Sequence, residues 1–354
     1  MLSAEIAQLR LHNQLISQSH FATPAQVVAW LGAVQAQDFA GAKWSLGLRL
    51  PGATEATIDQ AILDKSIVRT WPMRGTLHFV AAADVRWLLP LLTPRMVARA
   101  ASRYRDLALD EQAFARSAEV LTQALQGGRQ LTRNEVYHTL SEGGISPAGQ
   151  RGIHIIGNLA QKGVICGGPR QGAQPTFVLL DEWVPAMPLL AREHALAELA
   201  RRYFTSHGPA TIQDFAWWTG LPMKEVRLAL QLAQGELESV VAAGVTYWLA
   251  AGLPALLFQP SAYLLPGFDE FMLGYADRNA ALAPQHKQFL APKNGVFSAT
   301  IVLDGRVVGI WKRTLRKGGV AVDLSPFAPL TAAQEQLLAP EIARYAAFLG
   351  LPIV

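Results

Sequence analysis

Gln35-Ala36-Gln37-Asp38 places two carboxamides either side of a small apolar residue, with a carboxylate next in line. A glutamine offers one carbonyl acceptor and two N–H donors and does not titrate. It can orient a water or read a base edge, but it is a poor general base. Positions two apart diverge by about 200° on a helix and share a face in an extended segment. Gln35 and Gln37 can therefore serve one site only where the preceding helix has ended, and Gly41 signals that an end is near. The same residues also fit a polar helix end on a globular domain, since short patterns recur by chance.

Three other stretches carry dense chemistry. Arg69, Arg74 and His78 lie close in sequence to the glutamines, on a stretch that alternates like a hairpin. Lys312-Arg313-Thr314-Leu315-Arg316-Lys317 follows a strand-like run and enters a turn. It reads either as a charged loop that blunts a sheet edge or as a finger that grips phosphates. In Gly267-Phe268-Asp269-Glu270-Phe271-Met272-Leu273-Gly274-Tyr275-Ala276-Asp277-Arg278 the acids bracket aromatics in a loop-like region. Neighbours on a short strand point to opposite faces, so Asp269 and Glu270 are not an acid/base pair, and ion pairing with Arg278 is the expectation.

Other chemistries lack their residues. The eight histidines are dispersed and no His-Glu-x-x-His occurs, so no metal and no cofactor are expected. Gly144-Ile145-Ser146-Pro147-Ala148-Gly149 has the wrong spacing for a nucleophile elbow and lies between helices. Gly167-Gly168-Pro169-Arg170-Gln171-Gly172 lacks the Walker Lys-Ser/Thr and reads as a hairpin tip.

The elements that must position these residues repeat in one order. Thr23-Pro24-Ala25-Gln26 is a capping box with proline at the first helical position. Helices are expected at residues 5–15, 23–31 and 57–65, and a hairpin at 67–71 and 76–80 around Pro72-Met73-Arg74-Gly75. Residues 84–103 are helical again, bent or divided by Pro90 and Pro94. A second round has helices at 117–126 and 150–162, a capping box at Thr132–Glu135, and strands at 164–167 and 176–180. The third begins with helix 194–207, continues through Thr211-Ile212-Gln213-Asp214 and helix 224–233, and closes with strands 237–241 and 246–249. Helices followed by a hairpin is the order of a winged helix, a fold that binds nucleic acid or protein. The unequal spacing of the rounds argues for tandem duplication rather than a solenoid.

From Leu253 onward the character is β: strands at 256–258, 262–265, 295–303, 306–311 and 319–323, with Asp304-Gly305 as a hairpin turn and a closing helix at 331–348. The expected class is α+β and helix-rich, three tandem winged helices followed by a β-barrel-like domain. The expected domains are residues 1–110, 111–188, 189–252 and 253–354.

The bulk numbers fit several domains with their own cores. In 354 residues, 51% are hydrophobic and 16% charged, which excludes a disordered chain. The net charge of +4 permits a nucleic-acid partner without requiring one. Cys166 is the sole cysteine, so no intrachain disulfide can form, and a reducing cytosol is expected. The beginning of the chain lacks signal-peptide character, and residues 240–258 are too interrupted to span a membrane. A soluble, monomeric protein is the expectation.

Gln35-Ala36-Gln37, Arg74-Gly75-Thr76-Leu77-His78, the 268–278 stretch and Gly305-Arg306-Val307-Val308-Gly309-Ile310-Trp311-Lys312 together resemble the AlkZ-like winged-helix family of bacterial DNA glycosylases, with its AlkZ and YcaQ branches. The four stretches occur in the family's order and cover nearly the whole chain. The resemblance implies a C-shaped, DNA-embracing scaffold and a catalytic signature of glutamine, aliphatic residue, then glutamine or aspartate. Gln35 and Gln37 match the AlkZ version as catalytic residues, with Gln37 expected to hold the water. It implies a hydrolase that frees alkylated purines, cross-linked ones included, from double-stranded DNA, and since neither glutamine can form a Schiff base a monofunctional enzyme is expected. Arg69, Arg74, His78, Lys312, Arg313, Arg316 and Lys317 are the expected DNA contacts. The competing reading is a non-catalytic winged-helix regulator, which would be dimeric with a recognition helix rich in Arg, Asn or Gln. Helix 226–233 carries only Arg227 and Gln231 of that set.

Overall fold

The computed structural model describes residues 3–253, 258–290 and 296–354. The chain divides into two compact units, Met1–Ile58 with Leu196–Val354, and Asp59–Ala195. The division falls inside the expected first domain.

The Asp59–Ala195 unit is a sheet packed with helices. The Ile67–Met73 and Thr76–Ala81 strands pair antiparallel, as do Ile165–Gln171 and Gln174–Leu179. Sequence reading placed these hairpins in separate domains, yet Arg69 pairs with Gly167 and joins them into one sheet. A Cβ on Gly167 would lie 2.9 Å from the Arg69 carbonyl oxygen, so glycine is what lets the backbones meet. The Leu131–Thr132 strand adds to the second hairpin. Phe114, Leu121, Val136, Leu140, Ile155 and Leu159 fill the core between the helices and this sheet. The Ala82–Arg99 helix runs through both prolines and gives way to the next helix only at Ala100.

In the other unit the local signals behave as expected. Thr23 caps the Pro24–Leu31 helix in a full capping box, and Thr211 does the same for Ile212–Thr219 with Asp214 as its partner. The Leu237–Ala242 and Val245–Ala250 strands form a hairpin of their own. The C-terminal sheet runs Gly319–Pro326, Arg306–Arg316, Thr300–Leu303, Ala262–Leu265. It is open: among the described residues its outer strands do not pair, so the expected barrel is corrected to a four-stranded sheet. The Ala262–Leu265 strand has only four residues and packs against the closing Ala332–Leu349 helix, which leaves nothing to carry it round to the far edge. That helix also meets the Phe39–Gly47 helix, where Trp44 sits 5.0 Å from Tyr345 and 5.1 Å from Phe348, ring centre to ring centre.

Several strands differ in length from expectation. The one expected at 295–303 begins at Thr300, and Gly295 lies outside the described residues, as do Leu256 and Leu257 of the expected 256–258 strand. The 306–311 strand instead extends to Arg316 and carries the basic cluster on its end. Among the described residues, no helix is long and apolar enough to cross a membrane, and no three His, Cys, Asp or Glu side chains gather as for a metal.

Candidate active site

The helix before the glutamines ends at Leu31, as expected, with Gly32 as its cap. Gly32 has φ 78°, and a Cβ there would lie 3.1 Å from Trp218 Cη2. Gly41 instead sits inside the following Phe39–Gly47 helix. Between the two helices runs a short extended segment, with Val34 and Gln35 in strand conformation. The condition for Gln35 and Gln37 to work together, a helix already ended, is therefore met. Ala33, Val34 and Ala36 are fully buried, Gln35 is 7% exposed, and Gln37 is exposed. The small residue between the glutamines faces packed side chains, where a larger one would have to find room.

Behind this segment lies a buried polar network. Gln35 N–H donates to Glu270 Oε1 at 3.0 Å, and Trp218 Nε1–H donates to Glu270 Oε2 at 2.8 Å. His207 Nε2 lies 3.5 Å from the same Oε2, and its Nδ1 lies 2.8 Å from Ser206 Oγ. Complete burial holds the His207 imidazole below its ordinary pKa, a shift that Glu270 opposes and Arg49 and Arg10 reinforce.

Asp269 belongs to a second arm of the network. It caps the short Glu270–Leu273 helix, so the two acids do not sit on a strand as expected. Its partner is Arg49, not the expected Arg278: Arg49 Nη1 and Nη2 each donate at 2.8 Å, one to each carboxylate oxygen. Ser45 Oγ adds a bond at 2.7 Å. Arg49 also reaches Gln14 O at 2.8 Å, and Gln14 Nε2 donates to Tyr275 Oη at 2.8 Å. Arg10 lies over the Tyr275 ring, 3.6 Å from its centre, and 3.8 Å from Asp214. A buried arginine–carboxylate pair stays charged only when its donors and lone pairs are satisfied, and here both carboxylate oxygens are answered by named groups. Arg278 turns elsewhere: its Nε donates to Met272 O at 2.6 Å, and its guanidinium lies 5.8 Å from the Trp217 ring centre.

The remaining expected residues fall into two groups. Arg74 and Gly75 form the tip of the first hairpin, both with positive φ, 53° and 71°. His78 Nδ1 lies 2.9 Å from Thr76 O; a carbonyl only accepts, so Nδ1 carries the proton and Nε2 accepts from Arg74 Nη2 at 3.3 Å. His78 is thus buried and acts on Arg74 rather than reaching solvent itself. Arg69 is half-buried in the same hairpin, opposite Phe79.

In the basic cluster, strand alternation separates the charges. Lys312 and Arg316 fall on one face, and Arg313 on the other, where it donates to Tyr345 Oη at 2.6 Å. Lys312, Arg316 and Lys317 are exposed. Glu270 and Trp218 were missed from sequence as parts of the site. The acids drew notice, but nothing in their spacing points across the 235 residues that separate Glu270 from Gln35.

An exposed carboxamide beside a segment seated by a buried carboxylate, and a strand end of exposed cations, are the features with which the described residues could meet a polyanion. Comparison with known proteins names the class of protein. Residues 28–348 match the model of the DNA glycosylase AlkZ-like family, and the chain belongs to that family. It is thereby an enzyme, a hydrolytic N-glycosylase of DNA repair. The interstrand DNA cross-link repair glycosylase of Streptomyces sahachiroi is 28% identical over 332 residues, covering 86% of this chain and 85% of the relative. The solved structure of the Streptomyces sahachiroi DNA glycosylase AlkZ is 25% identical and superimposes with a TM-score of 0.82, covering 99% of this chain and 98% of that one.

Proposed function

We propose that the chain hydrolyses the N-glycosidic bond of N7-alkylated purines in double-stranded DNA, interstrand cross-linked ones included, and leaves an abasic site. The observation that carries the reading is the Gln35–Gln37 segment: outside any helix, its Gln35 in strand conformation and pinned from behind by Glu270, with Gln37 exposed. An N7-alkylguanine bears a positive charge, so the base departs neutral without a strong general acid. The enzyme then has to place a water near C1′ and support an oxocarbenium-like sugar. The Gln37 carbonyl can hold that water, with Gln35 fixing its geometry. Neither side chain can form a Schiff base, hence hydrolysis without strand cleavage. The name of the Streptomyces sahachiroi relative supports cross-linked substrates.

The DNA contacts follow from the two basic groups. Arg69 and Arg74 face the duplex from the first hairpin, with His78 holding Arg74, and Lys312, Arg316 and Lys317 grip phosphates from the C-terminal strand. Arg313, half-buried and bonded to Tyr345, is the remaining cation of that group. Three tandem winged helices, at residues 1–110, 111–188 and 189–252, with the sheet domain at 253–354, are the arrangement proposed for a monomer on DNA.

The test is release of free base from duplexes containing N7-methylguanine or a nitrogen-mustard cross-link. Wild type should release base. Gln37→Ala should lose about 10²-fold in kcat, of the order seen when one polar transition-state group is removed, and should still bind duplex. Gln35→Ala should lose less. A wild type that binds duplex and frees no base from either substrate overturns the N7-alkylpurine reading.

A further inference from the structure

Glu270 is fully buried. Its two oxygens each accept from a different segment: Oε1 from the Gln35 backbone N–H, Oε2 from the Trp218 indole. Trp218 in turn packs where a Cβ on Gly32 would come, at the residue that ends the helix before the glutamines. Asp269, one residue earlier, ties down the helix that follows them, through Ser45 and Arg49. The acidic dipeptide therefore holds the glutamine segment at both ends, Glu270 on its strand and Asp269 on its exit helix. We propose that Glu270 is a positioning residue for base release, setting the backbone of Gln35 and so the placement of the water held by Gln37. The inference rests on the glycosylase reading above.

The chemistry singles out a carboxylate. Two N–H donors converge on one side chain, so both of its terminal atoms must accept. A glutamine there has one acceptor and one NH2, and the NH2 would face a second donor. One of the two bonds is then broken while shape and volume stay nearly constant. If the bond to Gln35 goes, the segment is released by a fraction of an ångström. Displacement on that scale in a water-positioning group lowers kcat and leaves ground-state binding nearly intact.

The experiment compares the full-length wild type with Glu270→Gln and Trp218→Phe on a duplex containing N7-methylguanine. Single-turnover base release, duplex affinity and amide exchange of Gln35 are measured for all three. Glu270→Gln should release base at least about tenfold more slowly with affinity changed less than about twofold, and its Gln35 amide should exchange faster. Trp218→Phe removes only the second anchor and should fall about threefold in the same rate. A purely structural role would lower the melting temperature and the folded fraction but leave the rate per folded molecule unchanged. That result, or unchanged Gln35 exchange in Glu270→Gln, overturns the proposal. Should Glu270→Gln not fold, the Trp218→Phe rate decides: a slower rate at equal affinity supports it, an equal rate overturns it. A wild type without base release sinks the glycosylase reading, and the Gln35 exchange comparison alone then decides whether Glu270 sets that backbone.

Discussion

The Gln35 segment and the Lys312–Lys317 strand end are both polar, yet they are built in opposite ways. Around Gln35 the charges are buried and answered from far along the chain, Asp269 by Arg49, 220 residues away, and Glu270 by the Gln35 N–H, 235 residues away. On the strand end the charges are mostly exposed and set by local alternation, while Arg313 is committed to a long-range bond with Tyr345. The first arrangement fixes atoms within tenths of an ångström at the cost of desolvation; the second keeps cations hydrated and available to a polyanion. On the proposed reading a glycosylase uses both, precision at the Gln35 segment and reach at the strand end.

This contrast breaks most visibly at Arg49. Arg49→Ala leaves Asp269 buried without its bidentate partner and should cost about 3–5 kcal/mol of unfolding free energy. Urea denaturation checks it, and a loss below about 1 kcal/mol, the order of a surface pair, would mean the network is not what holds the segment. On the exposed side, Lys312→Ala with Lys317→Ala should leave stability within about 0.5 kcal/mol. Duplex affinity should nevertheless fall, and the slope of log affinity against log salt should become shallower by about 0.9 for each phosphate no longer neutralised. An unchanged salt slope removes these residues from the DNA interface.

The smallest effect is a pH dependence. Burial lowers the His207 pKa, so below its ordinary value of 6.5 the unfolded chain takes up a proton that the folded chain refuses. The stability tied to neutral His207 is fully present above that pH and is lost as pH falls toward the folded value. His12 and His154 are shifted the same way by burial. The difference in melting temperature between wild type and His207→Gln, followed from about pH 7.5 to about pH 5.5, isolates the one residue. The variant should melt with a flatter pH profile; parallel profiles would place the acid sensitivity elsewhere.

What the sequence made legible is what short-range chemistry decides. The boxes at Thr23, Thr132 and Thr211 form as their residue types require. Asp304 and Gly305, with φ of 48° and 80°, make the tight turn that their pairing foretold. The glutamine stretch itself was visible, because a carboxamide pair beside a helix end is unusual chemistry in plain view. The helix end was visible too, since the run expected to stop at residue 31 does so with Gly32 as its cap, but the packing of Trp218 against Gly32 was not. That contact, like the choice of Arg49 over Arg278 for Asp269, is decided by tertiary packing between segments far apart in the chain. The same limit explains the open sheet, since closure depends on where the final helix lies rather than on any strand's pattern.

The long-range bond from Gln35 to Glu270 also bears on how the protein is made. Synthesis runs from the N-terminus, so the glutamines leave the ribosome long before the carboxylate that seats them. Until residue 270 emerges, the Gln35 N–H has no carboxylate of Glu270 to donate to and the Asp269 clamp on the exit helix does not exist. A nascent or prematurely terminated chain thus carries the glutamines proposed as catalytic without their setting. The order of translation keeps the proposed site unassembled until most of the chain that governs it has been made.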